Sequence, residues 1–415
     1  MSAIGALFGL LLAIALIFRK VSPFYAMMAG AIAGALCGGM NLQVSVKTML
    51  DGVTSITPAV VRILAAGVLT GVLIKTGAAL ALANGIIKLS GQRFSLAAIA
   101  FATLVLTASG VFIDVAVITV APIALALGKR FGFSKFMVLF AMIGGGKCGN
   151  IISPNPNTIV SAENLGASLP SVMAANIVPA IVGFIAVVVI TRWVYPNGEK
   201  VKEVDAAELP DRLPSVWSAA VAPITTLILL SLRPLSEVTI DPMLALPIGG
   251  LTGIAAMRKF KDLMPSLTVG LEKMTPIAVL LIGTGFLAGV IKASTLNELI
   301  LSGLQAANLP VLLIAPLSAA LLSGATASTT AGATVASSSF ADAILSSGTS
   351  PVNGAAMINA GATILDHLPH GSFFLATAGV AGFSIKERIK LIPFESLVGI
   401  ILTTVITLLA GFFSS

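Results

Sequence analysis

AMIGGGKCGNIISPNPN (Ala141–Asn157) and AMINAGATILDHLPHGS (Ala356–Ser372) are near copies in register, 215 residues apart. The match runs outward from them. Ser22-Pro23 pairs with Asp241-Pro242, and Gly30 and Gly34 with Gly249 and Gly253. Thr57-Pro58, Gly67 and Gly71 pair with Thr275-Pro276, Gly285 and Gly289, and Ile177-Val178-Pro179 with Leu391-Ile392-Pro393. Residues 1–195 and 216–415 are therefore two versions of one structural unit. Between them, 196–215 is a hydrophilic linker with Glu199, Lys200, Lys202, Glu203, Asp205, Glu208, Asp211 and Arg212.

The composition excludes a soluble chain. Hydrophobic residues make up 57% and charged residues 10%, against about a quarter charged in soluble domains. Apolar runs of spanning or near-spanning length lie at Ala3–Phe18, Pro23–Met40, Pro58–Ile74, Phe136–Ile152 and Val172–Val194. They recur at Val216–Leu232, Pro242–Met257, Pro276–Ile291, Asn353–Thr377 and Leu391–Phe412. Between the third and fourth run of each half, the interrupted blocks Ser95–Gly128 and Pro310–Ser346 read as hairpins of two short helices. The expected fold is an all-α polytopic membrane protein of two inverted repeats. Each has about five transmembrane helices, one re-entrant hairpin and a helix broken at the midplane, a pattern of repeat-built transporters. The first run starts without a charged tract or cleavage signal and reads as a mature span. Cys37 and Cys148 lie within apolar runs and suggest no disulfide framework.

Basic residues set the orientation. Arg19-Lys20, Lys88 with Arg93, Lys129-Arg130 with Lys135, Arg192 with Lys200 and Lys202, Arg258-Lys259 with Lys261, and Lys386, Arg388 and Lys390 mark alternating loops. Placing them all in the cytoplasm gives one topology, with a cytoplasmic linker and both termini outside. The net charge of +7 follows from that inside bias, and no nucleic-acid partner is called for.

Polar residues within the apolar runs are few, and each is costly at mid-membrane unless paired or wet. They fall in four clusters. The first hairpin tip carries Thr107, Ser109, Gly110 and Asp114. The first break, Gly144–Thr158, carries Lys147, Asn150, Ser153, Asn155, Asn157 and Thr158. The second tip carries Ser323, Thr326, Ser328, Thr329, Thr330 and Thr334, and the second break Asp366, His367, His370 and Ser372. Isolated small residues usually let helices approach closely. SPNPNT, with two prolines and two asparagines in six residues, serves no packed helix.

Interrupted helices free backbone N–H groups, tolerated only against protein or a wet cavity, and aim positive dipole ends at an anion. Ser, Thr and Asn add hydrogen bonds to hydroxyls without charge. The pattern suits a small carboxylate, with Asn155 and His370 at matched positions facing each other across it. Asn155 and Asn157 are assigned to hydroxyls, helped by Ser153, Thr329 and Ser372. Ser109, Asn150, Thr158, Thr326, Ser328 and Thr330 complete the expected binding set.

Protonated His370 contacts the carboxylate or carries a coupling proton; Asp114, Asp366 and His367 are the other proton candidates. Asp114 and Lys147 are either a structural pair or a proton site and a substrate counter-charge. Arg62 and Glu163 read as structural or rim residues. Protons are favoured over sodium as the coupling ion, although hydroxyls of the Thr326–Thr330 tip offer a sodium alternative. An anion channel would also use polar rings but needs no paired breaks. No HExxH, GxSxG or spaced Cys/His set marks an enzyme or a metal site, so no catalytic residue, metal or cofactor is expected.

Lys147–Glu163 (KCGNIISPNPNTIVSAE), the Thr/Ser-rich tip and DHLPHGSFF together resemble the gluconate:proton symporter (GntP) family of bacterial inner-membrane permeases, within the wider ion-transporter superfamily. The resemblance spans essentially the whole chain. It implies proton-coupled sugar-acid uptake, an inverted-repeat fold with two re-entrant hairpins, a homodimer, and elevator-type movement of the hairpin-bearing part against a scaffold. Gluconate-handling members carry a histidine between prolines at the first break, where this chain has Asn155 between Pro154 and Pro156. The resemblance therefore favours a branch for shorter hydroxy acids, glycerate first.

The topology is testable in intact cells. With Cys37 and Cys148 replaced, a cysteine at Asp205 should resist an impermeant thiol reagent; labelling from outside would overturn the cytoplasmic linker.

Overall fold

A computed structural model describes residues 1–19, 21–88, 94–201, 213–231, 240–296, 299, 302, 310–369, 371–380 and 382–413. The first half folds as α1 (Ala3–Phe18), α2 (Pro23–Cys37), α3 (Leu42–Lys75), α4 (Ala78–Lys88), α5 (Ser95–Ala108), α6 (Ile113–Phe131), α7 (Lys135–Asn150), α8 (Pro156–Leu165), α9 (Leu169–Ala175) and α10 (Ile177–Thr191). The second folds as α11 (Val216–Leu230), α12 (Pro242–Met257), α13 (Leu263–Lys292), α14 (Ile314–Thr326), α15 (Thr329–Ser346), α16 (Pro351–Gly361), α17 (Ser372–Val380), α18 (Ile385–Ile389) and α19 (Ile392–Phe413). Among the described elements, the two halves follow the same order of helices once α4 is left out.

Caps set many of these boundaries. Asn41, Ser134, Asn155, Ser168, Asp241, Ser328 and Ser350 each accept a hydrogen bond from an amide in the first turn of the helix that follows. Proline opens α2, α8, α9, α12 and α16, where its missing N–H costs nothing. Among the described residues, three stretches, Leu42–Lys75, Phe260–Lys292 and Ile385–Phe412, are long and apolar enough to cross a membrane. α9 and α10, bent by 41°, pass the same test together.

Glycine decides how the long helices meet. α3 and α13 run antiparallel in close contact, with Gly52 against Gly285 and Gly289 at one end and Gly71 against Ser266 and Gly270 at the other. A Cβ on Gly52 would lie 2.2 Å from the Gly285 carbonyl oxygen, and one on Gly71 would lie 2.0 Å from that of Ser266. Only hydrogen fits there. The Lys259 ammonium donates to the Thr76 carbonyl (2.7 Å) at one end of this pair, and the Met1 amino group to the Ala293 carbonyl (3.3 Å) at the other. α12 packs on α3 and α2 on α13, each helix on the partner of the opposite half. α1 lies on α2 and α11 on α12, so α1, α2, α3, α11, α12 and α13 form one group.

The hairpins and broken helices form the other. α5–α6 and α14–α15 are the two hairpins. α5 packs on α7, α14 on α16, α10 on α19, and α8 on α15 and α16. The start of the expected linker is tied to this group: the Lys135 amide donates to the Glu199 carbonyl (2.9 Å) and that of Val201 to the Phe133 carbonyl (3.2 Å). Residues 202–212, with Asp205, lie outside the described residues.

Three expectations are corrected. Pro58 and Pro276, read as helix starts, sit inside α3 and α13; polar residues such as Lys47, Asp51 and Glu272 hid the earlier turns from a search for apolar runs. α4 was not foreseen. The first break is narrower than Gly144–Thr158, because helix continues through Gly144-Gly145-Gly146 to Asn150. A Cβ on Gly145 would meet the Ala100 carbonyl oxygen at 1.9 Å, and one on Gly149 that of Leu104 at 2.1 Å. These glycines bring α5 against α7 instead of unwinding the helix.

Gly71→Val should therefore lower stability by about 1–3 kcal/mol. Gly379→Ala, on α17 where nothing lies within 4 Å, should stay within about 0.5 kcal/mol. Thermal unfolding in detergent compares the two.

Candidate functional site

The first break is the five residues between Asn150 and Pro156. Asn155 closes it: Nδ2 donates to the Asn150 carbonyl (2.8 Å) and Asn150 Oδ1 (2.6 Å), while Oδ1 accepts from the Thr158 amide (3.1 Å) and hydroxyl (3.0 Å). Both donors and both lone pairs of the Asn155 amide are thus engaged. Asn157 Nδ2 donates to Asn359 Oδ1 on α16 (2.6 Å). Asn359 Nδ2 in turn donates to the Ile151 carbonyl (3.1 Å) and Thr158 Oγ1 (3.0 Å). A helix of the second half thereby satisfies a carbonyl stranded by the break in the first. Ser153 Oγ, fully buried in the break, has no partner among the described residues.

The second break, 362–371, lies against the end of α7. The Lys147 side chain has no exposed surface. Its Nζ reaches Asp366 Oδ1 (2.6 Å), His367 Nδ1 (2.9 Å) and the Thr363 carbonyl. An ammonium has three N–H bonds and no lone pair, and three acceptors surround it. With its three N–H bonds directed at these three acceptors, the ammonium assigns His367 Nδ1 as acceptor and the ring hydrogen to Nε2, which faces the Ile392 carbonyl (3.2 Å) and Ser396 Oγ (3.1 Å). Asp366 Oδ2 accepts from Thr329 Oγ1 (2.6 Å) in the first turn of α15, where the helix dipole also favours an anion.

Behind His367 lies a second buried pair. Arg388 and Glu395 have no exposed surface and form a two-pronged ion pair, Nη1 to Oε1 and Nη2 to Oε2 (3.0 Å). Arg388 Nε also donates to Thr377 Oγ1 (3.0 Å), and the guanidinium lies over the Phe374 ring. Glu395 Oε2 is 4.0 Å from His367 Nδ1. Sequence reasoning missed this pair, together with Asn359. Arg388 had been counted as a loop charge, which its burial corrects. The available signal was Glu395, a carboxylate inside the run Leu391–Phe412.

Each hairpin tip sits beside the break of its own half. Gly110, with φ +99°, is within van der Waals reach of Pro154, and its carbonyl accepts from Thr70 Oγ1 (3.0 Å). Ala327, with φ +45°, is pressed against Gly371. The second tip also bonds directly to its break through Thr329 and Asp366.

The other expected site residues are less engaged with the breaks. Ser109 Oγ donates to the Val105 carbonyl (2.6 Å) and Thr326 Oγ1 to that of Leu322 (2.8 Å), while Ser328 caps α15. Thr330 is half-buried and Ser372 exposed. Asp114 is half-buried in the first turn of α6. It is not the partner of Lys147, whose ion pair is with Asp366. His370 lies outside the described residues, so its expected position opposite Asn155 is not described.

Arg62 and Glu163 do meet. Arg62 Nη1 donates to Glu163 Oε2, while Nε (3.1 Å) and Nη2 (2.7 Å) bind Asp241, which caps α12. This pairing joins α3 to α8, one helix from each group. A cleft of about 480 Å³ lined by Arg62, Glu163, Ser168 and Asp241 opens beside it. A second, of about 500 Å³, is lined by Asp51, Glu163, Asn164, Lys292 and Asp342. Both clefts flank α8 between the two groups.

Residues 1–248 match the model of the GntP family permease, and 218–307 that of the Na+-H+ antiporter family. An uncharacterized transporter of Haemophilus influenzae is 52% identical over 414 residues, covering 99% of both chains. An uncharacterized permease of the same organism is 26% identical over 201 residues, 47% of this chain and 41% of that one. The crystal structure of the Alcanivorax borkumensis YdaH transporter, whose topology is described as unusual, superposes with a TM-score of 0.67 at 17% identity, covering 89% of each chain. That likeness is one of fold.

The Arg388–Glu395 pair can be tested by a double-mutant cycle. Arg388→Met or Glu395→Gln alone strands a buried charge and should cost about 3–5 kcal/mol, whereas Arg388→Met/Glu395→Met together should cost far less than the sum. Chemical denaturation in detergent reads the cycle.

Proposed function

The chain belongs to the GntP permease family, and on that premise we propose that it imports a small hydroxy-acid or sugar-acid anion, glycerate first and gluconate next, by proton symport across the bacterial inner membrane. It is a multi-pass membrane transport protein, so its medium is the lipid bilayer and its ligand a small molecule. What carries the finer reading is the meeting of two helix breaks, one from each half, around the buried Lys147–Asp366 pair. Breaks at membrane depth are tolerated only where protein or a wet cavity answers the freed backbone.

Several observations support the rest. The Ser153 hydroxyl, without a partner among the described residues, is placed to take a ligand oxygen, since a buried polar atom without a partner in a native protein calls for an explanation. Asn155, fully engaged within the break, holds the start of α8 in place. Asn157, Ser372 and the Thr326–Thr330 tip remain the candidates for substrate hydroxyls, with His370 or Lys147 for its carboxylate. The antiparallel run of α3 and α13, equivalent helices of the two halves, favours inverted repeats. In the proposed elevator cycle the hairpin group moves against the glycine-packed group, and Arg62–Glu163 has to part. A homodimer, its interface on the stationary group, completes the proposal.

An anion entering an inside-negative cell works against about 2.3 kcal/mol per charge for each 100 mV, so a coupling cation is required. Asp114, Asp366, His367 and His370 make it a proton. Sodium is the second reading, and the match of 218–307 to the Na+-H+ antiporter model supports ion coupling of either kind.

Proteoliposomes decide between these. Labelled glycerate should accumulate under an inward pH gradient, and preloaded unlabelled substrate should accelerate its entry, as a channel does not allow. Losing a charge-assisted hydrogen bond costs about 1.5–3 kcal/mol, so His370→Ala should weaken apparent affinity about ten- to a hundredfold and flatten its pH dependence. Uptake that follows a sodium gradient and ignores pH would overturn proton coupling.

A further inference from the structure

The buried charges behind the breaks form one neutral set. Lys147 and Arg388 supply two positive charges and Asp366 and Glu395 two negative ones, with His367 uncharged while Lys147 donates to its Nδ1. Asp366 Oδ1 and His367 Nδ1 lie 2.9 Å apart, at hydrogen-bonding distance. With Lys147 in place no hydrogen lies between them, because both accept from the same ammonium. Without that ammonium, the same two atoms are already spaced for a proton on Nδ1 donated to Oδ1. The imidazolium so formed faces a second carboxylate, Glu395 Oε2, at 4.0 Å. Arg388 fixes that carboxylate through both of its oxygens, and Thr329 fixes the far oxygen of Asp366.

We infer that Lys147 and one transported proton are alternative occupants of the His367–Asp366 pair. When the Lys147 ammonium turns to a carboxylate bound between the breaks, a proton from water takes its place on Nδ1, and Glu395, held by Arg388, is the positioning counter-charge. This rests on the proton-coupled carboxylate reading above. Lys147 is suited to the exchange: it sits in the last turn of α7, just before the break, and its flexible four-carbon stem carries a point charge that can be re-aimed. Charge enforces the coupling. The empty set is neutral, and so is the set holding one added proton and one carboxylate, whereas loading either alone strands a buried charge. One proton therefore enters with each monovalent anion, and transport is electroneutral.

The test reads His367 directly. Histidine is present only at 367 and 370, so solid-state NMR of ¹⁵N-histidine-labelled protein in liposomes shows two imidazoles, and His370→Gln identifies which is which. At pH 7 His367 should be neutral with hydrogen on Nε2 in the parent, and doubly protonated in Lys147→Met, with Lys147→Ala as the alternative if the first does not fold. Adding Arg388→Met/Glu395→Met to that background should shift the ratio back toward the neutral ring, because it removes the carboxylate that faces Nδ1 at 4.0 Å. D-glycerate, at a concentration where it is seen to bind, should convert the parent to the doubly protonated form. A ring that is neutral in both parent and Lys147→Met, a ring charged in the parent, or glycerate binding that leaves the spectrum unchanged would each overturn the exchange. If neither glycerate nor gluconate binds, it is the substrate reading that fails, and the Lys147→Met spectrum still decides the proton site.

Discussion

The ammonium of Lys147 is shut away from water, and a buried cation persists only where acceptors are built around all of its N–H bonds. Those acceptors come from the opposite half of the chain: the Thr363 carbonyl, Asp366 and His367. Neither half can complete this arrangement alone. The requirement propagates outward. Asp366 needs a second donor and finds it in Thr329 at a hairpin tip. His367 needs an acceptor for Nε2–H and finds one in the carbonyl at the head of α19. The approach of the second break to α7, the seating of the second hairpin and the position of the head of α19 all meet around one buried charge.

Packing in the rest of the molecule follows a different rule. α3 and α13 meet through hydrogen atoms on glycine, and α1 with α2 does the same through Gly5, Gly9, Gly30 and Gly34. Close backbone contact resists sliding, since any Cβ at these positions would clash. Between α8 and the long helices, by contrast, lie two clefts that carry charged residues and the Arg62–Glu163 ion pair, partly open to water. Half-exposed ion pairs hold weakly. One group is thus locked by glycine contacts, and the other is joined to it at α8 by a partly exposed ion pair.

The membrane class, the two hairpins and the two breaks were legible in the sequence because each leaves a local mark. A span shows as an apolar run, and a break as Pro and Asn where neither suits a helix. Lys147, Asp366 and His367 stood out for the same reason, as charged or titratable residues inside apolar stretches.

Partnership left no such mark. In the sequence Lys147 was matched with Asp114, and only the approach of the second half to the first showed its partner to be Asp366. Arg388 looked like one basic loop residue among three, until the fold turned it inward against Glu395. Gly144 to Gly149 looked like an unwound segment, because glycine permits both loose backbone and tight contact, and the nearness of α5 decided for contact. The sequence by itself determined which residues could not remain alone in a membrane; which ones they joined was decided by tertiary structure, because Lys147 and Asp366, 219 positions apart, become neighbours only through the packing of the two halves, and Arg388 meets Glu395 only because the chain turns it inward.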